Sequence, residues 1–341
     1  MAATTEDQRW KIVFMGTPDF ASTILEYLQE WDGCDVIGVY TQPDRPCGRG
    51  HKLKPSPVKE AALKQCLPVF QPLNFKDKGD VEQLRSLKPD FLVVAAYGLI
   101  LPQEVLDIPA IMPLNVHGSL LPKYRGAAPI QRCIQNGDTA TGITIMKMEA
   151  GLDTGPMLLQ QALGIAWNDN AGKIHDELSA MGGPLIMETL SRYQDGRLAI
   201  IKQDDELATY AAKLTKKDGL IDWNKNAKEV HNQIRAMHPS PGAYFFWQLD
   251  DEKKQGKEPL RLVVTPGKVS DKEADNYTPG TIIGESDGFL EIACQDKIYL
   301  AEKVKPAGKK DMDGRAFMCG YMSNLRTQPT NTEPLSSGSD C

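Results

Sequence analysis

Four short apolar runs, each closed by a glycine or a turn residue and separated by stretches with helical spacing, constrain this chain most. "KIVFMG" (11–16) leads into "DFASTILEYLQEW", and "DVIGVYT" (35–41), "DFLVVAAYG" (90–98) and "MPLNVHG" (112–118) repeat the pattern. The runs are apolar at successive positions, so both faces of each strand are buried. Strands of that kind alternating with helices form a mostly parallel sheet with helices on both faces. "PVKEAALKQC" and "GAAPIQRCIQNG" read as further helices, the second ending near Gly137, and "LPVFQP" as a short strand. "TGITIMKME" (141–149) alternates, which fits an edge or antiparallel strand, with "GPMLLQQALGIA" as its hairpin partner across the turn "AGLDTG". "NAGKIHDELSAMGGPLIMETLSRYQDG" reads as a long helical stretch, relaxed at Gly182 and Gly183 and closed near Gly196.

At 341 residues the chain is too long for one comfortable core and is expected to form two domains. From about residue 219 the texture changes to short strands ("YFFWQL", "LRLVVT", "GTIIGES", "GFLEIACQDKIYLAEKV") between Gly, Pro and Asp turns. That texture predicts a small antiparallel β-barrel. The expected layout is a flexible N-terminus (1–9), an α/β domain (10–203), a linker (204–218), the barrel (219–325) and a polar, disordered tail (326–341). "MAATTEDQRW" carries acidic charge and no apolar core, so no signal peptide is expected. No apolar run approaches the ~18 residues of a membrane span. Seven scattered cysteines without CxxC spacing read as reduced thiols in a cytoplasmic compartment, and no metal site is expected.

A net charge of −6 argues, as an average, against a nucleic-acid partner. The charge is uneven, however. Residues 43–59 hold Arg45, Arg49, Lys52, Lys54 and Lys59 against Asp44 alone, a net +4, with His51 in addition. Glycine and proline place this run in a flexible loop rather than on a helix. Residues 301–317 carry a weaker +2, through Lys303, Lys305, Lys309, Lys310 and Arg315 against three acids. A solvated face is the ordinary meaning of such runs.

The chemistry centres on "PLNVHGSLLPKYRGAAPIQ" (113–131). Asn115 and His117 are two apart on a strand and so share a face. They stand at the C-terminal end of a parallel strand, where open α/β sheets bind ligands. A histidine moves protons near neutral pH, and an asparagine amide can bond a carbonyl oxygen as it gains negative charge. Asp153, in "GLDTG", offers a carboxylate to orient the imidazole. No serine or cysteine nucleophile stands beside them. Such a set suits direct acyl transfer between two bound substrates; equally, a lone strand-end histidine can be structural and an Asp in a turn can be turn chemistry. The single glycine of "FMGTPDFA" is not the dinucleotide fingerprint, which disfavours a nicotinamide enzyme.

Taken together, "VFMGTPDFA", "TQPDRPCGRG", "AAYGLILP", "NVHGSLLPKYRGAAPIQ" and "GLDTGPML" resemble the methionyl-tRNA formyltransferase family, in order, from about residue 10 to about 320. The resemblance implies a Rossmann-like N-terminal domain and an OB-like C-terminal barrel. It implies transfer of a formyl group from 10-formyltetrahydrofolate, as co-substrate, to the α-amine of initiator methionyl-tRNA, without a metal. Asn115, His117 and Asp153 fall on the family's catalytic positions. Ser119, Leu120, Leu121 and Pro122 fall on its folate-binding segment, and Tyr97, Gly98, Leu99 and Ile100 on the strand end lining the pterin pocket. Arg45 lies in the loop the family directs at the tRNA acceptor end, with Arg49, Lys52 and Lys54 beside it. A monomer suffices for this chemistry. Cys47 and His51 depart from the alanine and lysine expected in that loop.

Other readings are a sugar-nucleotide amine formyltransferase or a formyltetrahydrofolate hydrolase, either of which should lack the "PDRPCGRGHKLKPSP" loop. A glycinamide-ribotide-type transformylase should lack the barrel. A non-catalytic folate- or RNA-binding protein would not need Asn115, His117 and Asp153 together.

Overall fold

The computed structural model describes residues 9–47, 52–248 and 259–322. Its contacts divide the chain into two units at Leu214/Thr215. Arg49, His51, most of the expected N-terminus and the expected tail lie outside the described residues, as does the side chain of Lys52. Arg9 is tied down rather than loose: its guanidinium donates to the Cys34 carbonyl at 2.8 Å and meets Asp35 at 3.0 Å.

The N-terminal unit runs β1 (Trp10–Gly16), α1 (Asp19–Glu30), β2 (Cys34–Tyr40), β3 (Arg45–Cys47), β4 (Lys52–Lys54), α2 (Pro57–Lys64), β5 (Val69–Phe70), α3 (Lys78–Ser86), β6 (Phe91–Ala95), α4 (Gln103–Leu106) and β7 (Met112–His117). It continues through β8 (Arg125–Gly126), α5 (Pro129–Gln135), β9 (Ala140–Lys147), β10 (Met157–Gly164), α6 (Ala171–Gln194), a 3-10 turn (Asp205–Leu207) and β11 (Tyr210–Ala211). The main sheet has seven strands in the order β10-β9-β7-β6-β1-β2-β5. β7, β6, β1, β2 and β5 pair in parallel, whereas β9 runs antiparallel to β7 and β10 antiparallel to β9. The chain leaves β1 toward β2 on one side and returns to β6 and β7 on the other, so the switch point lies at the carboxyl ends of β1 and β6.

One face of this sheet, with Val13, Met15, Leu92 and Val94, is covered by Val81 and Leu84 of α3 and by Val105 and Leu106 of α4. The other face carries α1 and α6. The expected relaxation at Gly182–Gly183 is absent: α6 runs unbroken from Ala171 to Gln194. The glycines serve close packing instead. A Cβ at Gly182 would sit 2.9 Å from Ile24 of α1 and 3.2 Å from Val116 of β7, and one at Gly183 would sit 2.3 Å from Tyr27. Val116 therefore points at α6, and its neighbours Asn115 and His117 point the opposite way.

Two further expectations are corrected. The basic run 43–59 is not simply a flexible loop. Arg45 pairs with Lys54, Pro46 with Leu53 and Cys47 with Lys52 in an antiparallel ladder, and α2 begins at Pro57 with Ser56 as its N-cap. The segment 204–218 is not a slack linker either. Its first part belongs to the N-terminal unit, with β11 pairing in parallel with β8.

The C-terminal unit is the expected antiparallel β domain. It contains a 3-10 turn (Lys216–Gly219), α7 (Ala227–Ala236), β12 (Ala243–Trp247), β13 (Leu260–Val264), β14 (Lys268–Glu273), β15 (Ile282–Ser286), β16 (Phe289–Ala293), β17 (Lys297–Ala301), β18 (Val304–Pro306) and α8 (Gly314–Tyr321). Its strands form a three-stranded sheet, β12-β13-β18, and a four-stranded sheet, β14-β17-β16-β15. Helices α7 and α8 were not expected. Both open on side-chain caps, Asn226 and Asp313, signals that strand-rich surroundings obscure. No helix among the described residues is long and apolar enough to cross a membrane.

Candidate active site

The three residues singled out as catalytic converge at the C-terminal end of β7. Asn115 Nδ2 lies 3.4 Å from Asp153 Oδ1, and His117 Nδ1 lies 3.7 Å from Asp153 Oδ2. Asp153 comes from the turn between β9 and β10, the two antiparallel strands beside β7. That turn reverses sharply, with Asp153 itself in the left-handed region at φ 53°.

His117 is 6% exposed. Its anchor is not the carboxylate expected from the sequence. Nε2 lies 3.0 Å from the Tyr124 carbonyl oxygen. A carbonyl only accepts, so Nε2 carries a proton in that contact. The Nδ1 edge is left facing Asp153 across a gap too long for a hydrogen bond. Asp153 Oδ2 instead accepts the backbone N–H of Gly126 at 2.8 Å. The result is an amide, an imidazole edge and a carboxylate around one point, with the imidazole held from behind.

The loop 118–126 that supplies these anchors is itself pinned. Thr144 of β9, opposite His117 in the ladder, donates from Oγ1 to the Ser119 carbonyl at 2.7 Å and accepts from Leu121 N at 3.1 Å. Gln160 of β10 donates to the Leu121 carbonyl at 2.9 Å and to Thr144 Oγ1 at 2.8 Å. Within the expected folate segment, Ser119 and Leu121 are buried, with Ser119 Oγ closing on the Lys123 carbonyl at 2.6 Å. Leu120 and Pro122 remain half-buried and are the side chains of that segment with surface to offer. The Tyr124 hydroxyl donates to Asp138 at 2.8 Å, and burial pushes this phenol up from its ordinary pKa.

The 97–100 segment divides differently from expectation. It lies in the loop beyond β6, not on the strand. The Tyr97 ring is buried in the core, where desolvation raises its pKa, and its carbonyl faces the switch point. That oxygen accepts from Thr17 Oγ1 at 2.9 Å and from Gln42 Nε2 at 3.0 Å. Gly98 sits at φ +79°, where a side chain is strained, and a Cβ there would lie 2.4 Å from Gln42 Nε2 and displace that amide. Leu99 packs on the core, while Ile100 is 94% exposed.

Charge in the basic hairpin is partly spent internally. Lys59, on α2, bonds both oxygens of Asp44 at 2.9 and 2.8 Å, and Gln71 also donates to Asp44 at 2.9 Å. These bonds hold the Asp44 carboxyl below its ordinary pKa. With that pair cancelled, Arg45 and Lys54 stand exposed on the hairpin. Arg45 donates to Gln42 Oε1, so the hairpin is linked through Gln42 to the Tyr97 carbonyl. In the C-terminal unit Lys303, Lys305, Lys309, Lys310 and Arg315 are all exposed, with Lys305 3.7 Å from Asp311 and Arg315 3.9 Å from Glu285.

Sequence reasoning missed Gly126, the Tyr124 carbonyl, Arg125 and Gln203. The first three lie inside residues 113–131, where the chemistry centres, but nothing in residue type marks a backbone anchor. Gln203 carried no signal.

Comparison with known proteins follows the same division. A family model described as formyl transferase matches residues 10–190, and one described as formyl transferase, C-terminal domain, matches residues 213–322. The chain is 56% identical over 313 residues to the methionyl-tRNA formyltransferase of Nitratidesulfovibrio vulgaris (strain DP4), covering 92% of this chain and 93% of that protein. It is 44% identical over 318 residues to the methionyl-tRNA formyltransferase of Trichlorobacter lovleyi, covering 93% and 96%. Among solved structures, an N-formyltransferase from Helicobacter canadensis in complex with folinic acid and dTDP-3-aminofucose superposes with a TM-score of 0.61 at 19% identity, covering 86% of this chain and 99% of that one. HypX from Aquifex aeolicus in complex with tetrahydrofolic acid gives 0.58 at 16% identity, covering 91% and 47%. At those identities the two structures share a fold with this chain.

Proposed function

The chain belongs to the methionyl-tRNA formyltransferase family, and on that premise we propose how its residues divide the work of formyl transfer. The enzyme moves the formyl group of 10-formyltetrahydrofolate to the α-amine of methionyl initiator tRNA. The observation that carries the assignment of the site is the convergence of Asn115, His117 and Asp153 at the end of a parallel strand, with no nucleophile among them.

The uncharged amine of the methionyl ester attacks the formyl carbon, and the carbonyl electrons move onto oxygen. Asn115 Nδ2 and the Nδ1 edge of His117 are placed to donate to that oxygen. Because Nε2–H is engaged by Tyr124, a donor at Nδ1 requires a proton on both ring nitrogens, with the Asp153 carboxylate 3.7 Å from that edge. The tetrahedral intermediate collapses with cleavage of the bond to folate N10. The proton leaving the amine nitrogen is matched by the one N10 gains, with His117, Asp153 or water carrying it. One oxyanion donor is worth about 3 kcal/mol of barrier, or roughly 10²–10³ in rate.

The half-buried Leu120 and Pro122, the turn of Ser119 and Leu121, and the loop from Tyr97 to Ile100 form the proposed folate surface. Arg45, Lys52 and Lys54 of the hairpin, with Arg49 between them in sequence, are the proposed contact to the tRNA backbone, with the exposed lysines near residue 305 as a second one. Every group named lies in one chain, which supports a monomer. The tRNA substrate supports a cytoplasmic location.

The test is a formyl-transfer assay with initiator methionyl-tRNA, elongator methionyl-tRNA, a sugar-nucleotide amine and no acceptor. Product with the initiator alone, lost in His117→Ala, supports both function and site. Folate turnover without an acceptor would sink the reading in favour of a hydrolase.

A further inference from the structure

Gln203 stands 50 residues beyond Asp153, at the last position the sequence assigns to the α/β domain and next to the expected linker. It is 4% exposed, and every polar atom of its amide is used. Nε2 donates to the carbonyls of Asp153 at 2.8 Å and Gly155 at 2.7 Å, the two sides of the turn that holds Asp153. Oε1 accepts from Arg125 Nε at 3.0 Å. Arg125, 2% exposed, in turn donates from Nη2 to Asp205 at 2.7 Å. The next residue, Gly126, closes the circuit by donating its N–H to Asp153 Oδ2.

The same segment straps the other anchor. Tyr124 N donates to Thr209 Oγ1 at 2.9 Å, Arg125 N to the Thr209 carbonyl at 2.8 Å, and Ala127 N to the Ala211 carbonyl at 2.9 Å. Tyr124 is the residue whose carbonyl holds His117. One stretch of chain therefore fixes the backbone that supports the imidazole and the backbone that supports the carboxylate.

We propose that Gln203 and Arg125 are positioning residues of formyl transfer, holding the left-handed Asp153 turn and the 124–126 segment in register so that Asp153 faces His117 Nδ1 and Asn115. The inference rests on the assignment of Asp153 to the reacting centre. An amide suits the position at 203 because it supplies two donors for two carbonyls and an acceptor for the guanidinium; a carboxylate would supply no donor. Neither residue reaches the reacting groups, so their loss should act on kcat through geometry, where misplacement of about 1 Å can cost roughly 10²-fold.

The experiment compares the full-length wild type with Gln203→Met, Asp205→Ala and Asp153→Asn, recording kcat, KM for both substrates and thermal unfolding. Gln203→Met keeps length and apolar volume but removes all three hydrogen bonds. Its kcat should fall about 10–100-fold with both KM values within about two-fold. Asp205 is 75% exposed, so Asp205→Ala removes little packing; it loosens Arg125 and should lower kcat by about three- to ten-fold. A purely structural role would lower the unfolding temperature without this split between kcat and KM. The proposal is overturned if folded Gln203→Met keeps its kcat while Asp153→Asn loses turnover. Should Gln203→Met fail to fold, an unchanged kcat in Asp205→Ala overturns it instead. Retained turnover in Asp153→Asn would remove the site assignment, and this proposal with it.

Discussion

The backbone N–H of Gly126 donates to Asp153 Oδ2 at 2.8 Å, across 27 residues of sequence. Gly126 sits at φ +119°, and a Cβ there would meet the Ala211 carbonyl at 2.7 Å. An alanine must therefore push β11 away or rotate the peptide that faces Asp153. Gly126→Ala should destabilise the enzyme by about 2 kcal/mol, the ordinary range for strain at a special backbone position. Its kcat should fall as well, because the displaced peptide is the one holding the carboxylate. Thermal unfolding and single-turnover formylation on one preparation would separate the two effects, and a variant that loses stability while keeping kcat would show that the bond is not needed for turnover.

Asn115 is half-buried, and its amide makes a single long contact, 3.4 Å to Asp153 Oδ1. Little folding energy is at stake in so long a bond. Asn115→Ala should then lower kcat by roughly 10²–10³ while leaving the unfolding midpoint nearly unchanged. Asn115→Asp should be no better, since a second carboxylate beside Asp153 offers no donor to an oxyanion. Substantial activity in either variant would show that the donor lies elsewhere.

Among the described residues, Arg45 is linked to the proposed folate loop through Gln42, whose amide also donates to the Tyr97 carbonyl at 3.0 Å. Arg45→Ala should raise KM for methionyl-tRNA by about ten-fold or more while changing folate affinity by about two-fold or less. Its tRNA KM should also vary less steeply with salt than that of wild type, since one phosphate contact is gone. Equal effects on both substrates would mean that the hairpin serves the folate loop rather than the tRNA.

The residues legible in the sequence are those whose chemistry follows from local pattern. β7 could be placed because "MPLNVHG" is apolar, bounded by glycine and followed by a helix, and its two-residue period put Asn115 and His117 on one face. The site's supports were not legible because they join distant segments. Gln203 lies in a polar stretch without periodicity, and its meaning comes from carbonyls at Asp153 and Gly155. Helix α6 was misread at Gly182 because a glycine pair signals a break locally, whereas here it admits Ile24 and Tyr27. Lys59 counted as surface charge until α2 brought it onto Asp44.

Thiol reactivity should divide by burial. Burial pushes Cys34, Cys133 and Cys294 up to about 12, whereas Cys66 and Cys319 are exposed. Because the thiolate is the reactive form, alkylation of native enzyme near pH 8 should modify Cys66 and Cys319 and spare the buried three until denaturant is added. Peptide mass spectrometry reads this directly. Rapid native labelling of Cys133 would mean that α5 opens away from the sheet.

His238, half-buried in the C-terminal unit, has its pKa lowered below 6.5 chiefly by burial, with Glu302 and Asp311 opposing the shift. The sign follows from proton counting. Between the folded pKa and 6.5 the unfolded chain binds more protons at this position than the folded one, so stability rises with pH across that window. The contribution is fully present above 6.5 and is lost as pH falls through the folded value. His238→Gln should therefore flatten the dependence of unfolding free energy on pH below 6.5, seen as the difference from wild type in urea titrations. Glu302→Gln removes the larger of the two opposing charges, so it should lower the folded pKa further and steepen the same dependence. A wild type and His238→Gln pair with parallel profiles would show that the imidazole is as well hydrated in the folded unit as in the unfolded chain.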